Sequence, residues 1–284
     1  MARINVNGVG IEHEIIGTGK KTAIITPGGR FSKDTPGIRE LAEKLAAGGL
    51  RAVIWDRPNC GGSDICFDGP TESIMNADAL AGLLQALNVG PAIAIGGSAG
   101  ARVSMIAASR HPDAIAGLFI AWISGGFFGL TSLTHVYYFE AYLAAAIGGM
   151  KAVAELPEWK QLIARTPHNR DILMRQDPAA FMEKMIAWGK SFVPRENSPV
   201  PDQMPSDLRA LKMPVMILRS AASDPSHPRA TSEAVHSLIP GAQIAEPPWG
   251  DREFLDRMSG LARGEGIFRT WPMLAPQILE FARA

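Results

Sequence analysis

The sequence predicts an α/β protein with a mostly parallel central sheet, helices on both faces and an inserted helical cap. Three observations carry this expectation. Short apolar runs bounded by Gly and Pro alternate with segments of helical periodicity, the pattern of a parallel sheet wrapped by helices. Between residues 127 and 208 the alternation stops, and stretches rich in Ala, Met, Tyr and Trp take over. The strand signature then resumes, so the predicted core is discontinuous: residues 1–126, a cap or lid at 127–208, and the remainder of the core at 209–284.

The elements follow in order. "INVNGVGIEHEIIGTG" alternates in short pieces around Asn-Gly, which suits a hairpin at a sheet edge. "TAIITPGG" and "RAVIWD" are continuous apolar runs of the buried-strand kind. Between them Ile38, Leu41, Ala42 and Leu45 recur at helical spacing, and Gly48-Gly49 stops the helix. Leu80, Leu83, Leu84 and Leu87 mark a second amphipathic helix. "PAIAIGG" reads as strand, "AGARVSMIAASRH" as helix and "AGLFIAWISGG" as strand again. In the cap, "YYFEAYLAAAIGGM" and "AAFMEKMIAWGKSF" are helical, and "VPRENSPVPDQMPSD" is a linker leading to the strand "MPVMILRS". "AQIAE" is the last strand.

Composition narrows the function. Twenty-eight basic side chains balance 28 acidic ones, so no broad field attracts nucleic acid or an anionic membrane surface, and the expected partner is a small molecule. Cys60 and Cys66 lie six apart with no Cys/His cluster, which argues against a zinc site or disulfide framework and for a reducing compartment. No run approaches the roughly 18 apolar residues of a membrane span. A cytoplasmic protein without metal or organic cofactor is expected; a homo-oligomer is left open.

The chemical signal is "AIAIGGSAGARVSMIAA". Ser98 stands in GxSxG with an apolar strand before it and a helix after it, the context that lifts a serine hydroxyl above a strand end. The N–H of Ala99 then points at any oxyanion formed there.

"GGSAG" resembles the nucleophile elbow of the α/β-hydrolase fold family, and the likeness covers most of the chain outside the cap. "TPGGRF" is similar to the family's oxyanion loop, with Pro27-Gly28 in place of His-Gly, which implies the N–H of Gly29 as the second oxyanion donor and Gly28 beside the substrate. "DRPNCGGSD" resembles the family's DxRGxGxS segment. Arg30 is placed either to bind a substrate carbonyl or carboxylate, or in solvent. Trp122, Tyr137 and Trp249 are expected against an apolar substrate, with core packing as their alternative.

The resemblance also implies an acid after "PVMILRS", where Asp224 fits, and a Gly-His after the last strand. Gly250-Asp251 stands there instead, and no histidine occurs from Ser237 to Ala284. An aspartate with a reference pKa near 4 is a poor proton acceptor. Four solutions remain open. His227 reaches Ser98 with Asp251 as the orienting acid and Asp224 holding the turn or orienting the ring from the other side; a cap histidine, His135 or His168, reaches down; Asp224 and Asp251 share a proton; or the protein is a non-hydrolytic lyase, isomerase or ligand binder. The expected activity is hydrolysis of a small, largely apolar ester or lactone through Ser98. Cys60 is a weak rival nucleophile because no base adjoins it in the sequence.

Overall fold

A computed structural model describes residues 2–195 and 198–283; Glu196 and Asn197 of the expected linker lie outside the described residues. The hairpin of β1 (Ala2–Val6) and β2 (Val9–Ile16) forms the edge of an eight-stranded sheet. Inward from it lie β4 (Arg51–Trp55), β3 (Thr22–Thr26), β5 (Ala92–Gly97), β6 (Ile115–Ala121), β7 (Val215–Leu218) and β8 (Gln243–Ala245). Only the β1–β2 and β2–β4 pairings are antiparallel.

Period-2 alternation of the strands builds a core on each face. Ile24, Val53 and Ala94 point to one side, packed on Leu80, Leu83 and Leu84 of α2 (Glu72–Leu87) and on α3 (Ala99–Arg110). Ile25, Ile54 and Ile95 point to the other, against Leu41 and Leu45 of α1 (Ile38–Ala47). Both faces are covered, so the central strands are apolar throughout and β3 is buried at every position. Truncating Leu45 or Leu80 to Ala costs about 2–5 kcal/mol on the usual cavity scale.

The strand before the helical insert is shorter than "AGLFIAWISGG" suggests. Strand β6 ends at Ala121, because Trp122 takes a φ of +48° and turns the chain out of the sheet.

Between β6 and β7 the described residues form a mainly helical insert. It comprises α4 (Gly126–Thr134), a π-helical turn (His135–Phe139), α5 (Glu140–Glu155), α6 (Pro157–Arg165), α7 (Asn169–Met174) and α8 (Pro178–Lys190), followed by the short α9 (Pro205–Arg209). A separate core holds it together, with Tyr138, Trp159, Phe181, Trp188 and Phe192 packed on Ile65 and Phe67. After β7 come α10 (Arg229–Leu238), β8, α11 (Glu253–Ala262) and α12 (Ala275–Phe281). Among the described residues no helix is long and apolar enough to cross a membrane. Strands β3, β5, β6, β7 and β8 run parallel, so the loops at their C-terminal ends converge on one edge, where ligands of open α/β sheets bind.

Candidate active site

Ser98 sits at the C-terminal end of β5 with φ 56° and ψ −119°, a conformation that non-glycine residues rarely adopt. Two acceptors hold it there: its N–H donates to the carbonyls of Ala121 (3.3 Å) and Trp122 (2.9 Å). The neighbouring strand comes equally close. A Cβ on Gly28 would lie 2.9 Å from Ser98 Cβ and 3.6 Å from its Oγ, so only glycine fits. Ala99 is the first residue of α3, whose leading N–H groups have no intrahelical acceptor, and among the described residues no backbone carbonyl takes the N–H of Gly29. Gly29 is itself in the left-handed region, φ +50°, and Arg57 donates to the carbonyls of Gly28 and Gly29 from behind.

The loop after β7 folds around one carboxylate. Asp224 Oδ1 accepts the N–H groups of Ser226 (2.9 Å) and His227 (3.1 Å), an Asx-type turn that Pro225 stiffens. That turn brings residue 227 back over residue 224, and Asp224 Oδ2 meets His227 Nδ1 at 2.8 Å. Both side chains are buried. Burial raises Asp224, but the hydrogen bond from His227 and the charges of His227 and Arg257 outweigh it and hold the carboxyl at about 2. Burial lowers His227 below its ordinary value, and Arg257 adds to this, more than Asp224 restores. The pair is therefore an ionised aspartate and a neutral imidazole that donates from Nδ1, which leaves Nε2 with its lone pair.

The His227 ring stacks on Trp122, centroids 6.3 Å apart, and Trp122 is the residue whose carbonyl anchors Ser98. In this structure Ser98 Oγ is hydrogen-bonded to Ser124 Oγ at 3.1 Å, and no hydrogen bond joins it to His227. Ser124 follows β6 on the stretch that packs against the 226–231 turn, where Gly125, Gly126 and Gly129 abut Thr231, Pro228 and Ser226.

Asp251 lies elsewhere. It is exposed, forms an ion pair with Arg229 and gives its carbonyl to Ser223, so the carboxylate on His227 is Asp224. Helix α11, which starts two residues later, instead sends Arg257 inward. Its Nη2 lies 2.6 Å from Asp224 Oδ2, its Nε 3.0 Å from Glu253, and its guanidinium 4.3 Å over the Trp122 ring. Burial lifts the Glu253 carboxyl to about 7, against the pull of Arg257. Arg257, Glu253 and Ser124 were missed in the sequence. The only hint was the i,i+4 spacing of Glu253 and Arg257, which on most helices marks a surface pair.

Arg30 is in neither of its expected places. It is buried and crosses from the Gly28–Gly29 loop to the insert, pairing with Glu158 (2.7 Å) and Glu72 (3.4 Å) and donating to the Tyr137 carbonyl (3.1 Å). Trp122 is enclosed by Trp249, Phe268 and Trp271, with ring centroids 5.6–6.1 Å away, which makes it a wall of the site. Trp249 packs on it, half-buried. Tyr137 is buried with its hydroxyl 3.8 Å from where a Cβ on Gly29 would stand, so the phenol overhangs the same loop. Both insert histidines are exposed, His135 beside Glu140 and His168 on Asp64. Burial pushes the Cys60 thiol up to about 11, unsuited to a nucleophile. Glu12, Asp34 and Asp56 have metal-like spacing, but Lys33 Nζ stands among them at 2.7, 2.9 and 3.9 Å and supplies the cation.

The sequence model of the Alpha/beta hydrolase family matches residues 24–271. No curated protein sequence matches the chain. Among solved structures, an N-acyl homoserine lactone degrading enzyme is 18% identical with a TM-score of 0.58, over 99% of both chains. The enol-lactonase from Burkholderia xenovorans is 17% identical with a TM-score of 0.56, over 93% of this chain and 97% of its own. An esterase from Exiguobacterium antarcticum is 17% identical with a TM-score of 0.57, over 92% and 96%. Likeness at this level of identity concerns the fold.

Proposed function

The chain belongs to the alpha/beta hydrolase family, and on that premise we propose that it is a serine hydrolase of small, largely apolar esters or lactones. Ser98 is the nucleophile, His227 the general base, Asp224 the orienting carboxylate, and the N–H groups of Gly29 and Ala99 the oxyanion donors. The helical insert acts as the cap over the site. The observation that carries this reading is the buried 2.8 Å bond from His227 Nδ1 to a carboxylate that stays ionised. It fixes the tautomer with a free Nε2, the requirement for a base in a serine triad. The esterase, the enol-lactonase and the N-acyl homoserine lactone degrading enzyme that share the fold support acyl transfer as the reaction class.

The chemistry then runs in two halves. Ser98 Oγ attacks the carbonyl carbon while its proton passes to His227 Nε2, and the carbonyl oxygen becomes an oxyanion held by the two N–H groups at the start of α3 and on the Gly28–Gly29 loop. Collapse breaks the bond to the leaving alkoxide, which takes the proton from His227. Water, deprotonated by the same nitrogen, attacks the acyl carbon, and collapse breaks the bond to Ser98 Oγ, which takes the proton back from His227 and releases the acid. Asp224 is not protonated at any step, and Arg257 keeps it so. The bond to Ser124 parks the Ser98 hydroxyl in the resting state, and hydrogen bonds of this kind commonly realign when substrate binds.

The Ser98–Ser124 bond also favours the rival reading, a family member that binds or rearranges its ligand without an acyl-enzyme. A fluorophosphonate probe separates the two. Hydrolysis requires a stoichiometric adduct on Ser98 by mass spectrometry, absent in Ser98→Ala; an unlabelled wild-type protein decides for the rival.

A further inference from the structure

Behind the Gly28–Gly29 loop, between α2 and α3, lies a small, partly open cavity of about 10 Å³, room for a single water-sized occupant. Arg30, Arg57, Arg102 and Asn76 are in its wall beside Gly29 and Ala99, and so is the buried Glu72, whose carboxylate is engaged by Arg30, Asn59 and Tyr138. Arg30 is balanced by Glu72 and Glu158. The other two cations have no such partner. Arg57 is 3% exposed and Arg102 4% exposed, yet neither forms an ion pair among the described residues. Among the described residues Arg57 donates only to the carbonyls of Gly28 and Gly29. Arg102 donates Nε to Ser73 Oγ at 2.9 Å and lies 4.6 Å over the Phe192 ring. Asp202 feels the charge of Arg102, but its carboxylate accepts from Thr71.

Four buried polar atoms around this cavity lack a hydrogen-bond partner: Arg30 Nε, Arg57 Nε, Arg102 Nη1 and Asn76 Oδ1. Three are donors on guanidinium groups. Buried charges are normally paired, because desolvation of an unpaired one is among the larger penalties in a protein interior. We propose that the cavity is a binding site for a monatomic, monovalent anion of chloride's size, held by the unpartnered N–H groups of Arg30, Arg57 and Arg102. Size excludes carboxylate and phosphate. A water molecule fits the volume but leaves the excess positive charge of three guanidiniums over the two carboxylates Glu72 and Glu158 uncompensated. The Asn76 amide turns over at no steric change to present its N–H₂ as a further donor. The ion joins the oxyanion loop, the helix that follows Ser98 and, through Phe192, the helical insert, and its binding is independent of whether Ser98 is a nucleophile.

Two measurements test this. Replacing gluconate by chloride over a hundredfold range at constant ionic strength raises the thermal midpoint of the wild-type chain by about 5 °C through binding linkage. Crystals soaked in bromide show an anomalous peak in the cavity. Arg102→Met abolishes both effects. Because that variant risks the fold, Asn76→Asp is the second arm: its carboxylate supplies the missing negative charge, so the protein is stable at low chloride, insensitive to added chloride and empty of bromide. A wild-type midpoint that responds equally to both salts, a cavity holding water alone in bromide, or undiminished chloride dependence in Asn76→Asp each overturns the proposal.

Discussion

The loops after β7 and β8 leave adjacent strands at the same edge of the sheet, yet they contribute in opposite ways. The first encloses Asp224 and His227. The second carries Asp251 into solvent, past Gly250 at φ +73° with nothing within 4 Å of its Cβ position, and only the helix beyond turns back to deliver Arg257. Where a base was expected after the last strand, the molecule supplies a cation for the acid of the neighbouring loop. Asp224 and His227 therefore pair across only three residues, and the Asx turn makes so short a spacing sufficient. The difference teaches that reach and burial assign a role, and that a slot in chain order does not.

The contrast breaks most readily at His227. Replacement by Ala is expected to lower kcat for a p-nitrophenyl ester about 10⁴-fold; a loss under tenfold would place the base elsewhere. Asp224→Asn follows, with about 10³-fold lower kcat, since the amide no longer fixes the Nδ1–H tautomer. The same variant sharpens the contrast through stability. Asp224 ionises at about 2 in the fold against 3.8 ordinarily, so its contribution is complete above the ordinary value and disappears as pH falls toward 2. The difference is on the order of 2 kcal/mol in the wild type, and urea unfolding between pH 2 and 5 should show a flatter profile in the variant.

Arg257→Met acts through the dyad without touching substrate. We expect kcat/KM to fall about tenfold, and the acid limb of its pH profile to move upward, because the cation that now depresses His227 is gone. An unshifted limb with the same loss of rate would reduce Arg257 to a packing residue. Asp251→Ala should change kcat by less than about twofold, as expected for an exposed ion pair. A large loss there would erase the contrast between the loops.

Much of this was legible in the sequence. Hydrophobic spacing located α1 at Ile38–Leu45 and the strands from β3 to β8, because a sheet covered on both faces demands unbroken apolar strands. The glycines around Ser98 marked the elbow, since backbone crowding at Gly28 and Ser98 leaves no alternative. His227 was legible as the neighbour of Asp224. The partner of His227 was harder: Asp224 and Asp251 are the same residue type in loops of similar composition, and only the path of the second loop into solvent separates them. Arg30 was misplaced for a related reason. Its two counter-ions, Glu72 and Glu158, lie 42 and 128 residues away, and an ion pair leaves no periodicity to read.

By itself the sequence determined the sheet, its order of elements, the helical interruption and the strained serine, all of which depend on local spacing and on backbone sterics that act within a few residues. Tertiary structure alone decided which carboxylate meets His227, that Arg257 backs it, that Ser98 rests on Ser124, and that Arg57 and Arg102 are buried without an ion-pair partner among the described residues. Those are electrostatic contacts between segments far apart in the chain, whose strength depends on how deeply folding removes them from water.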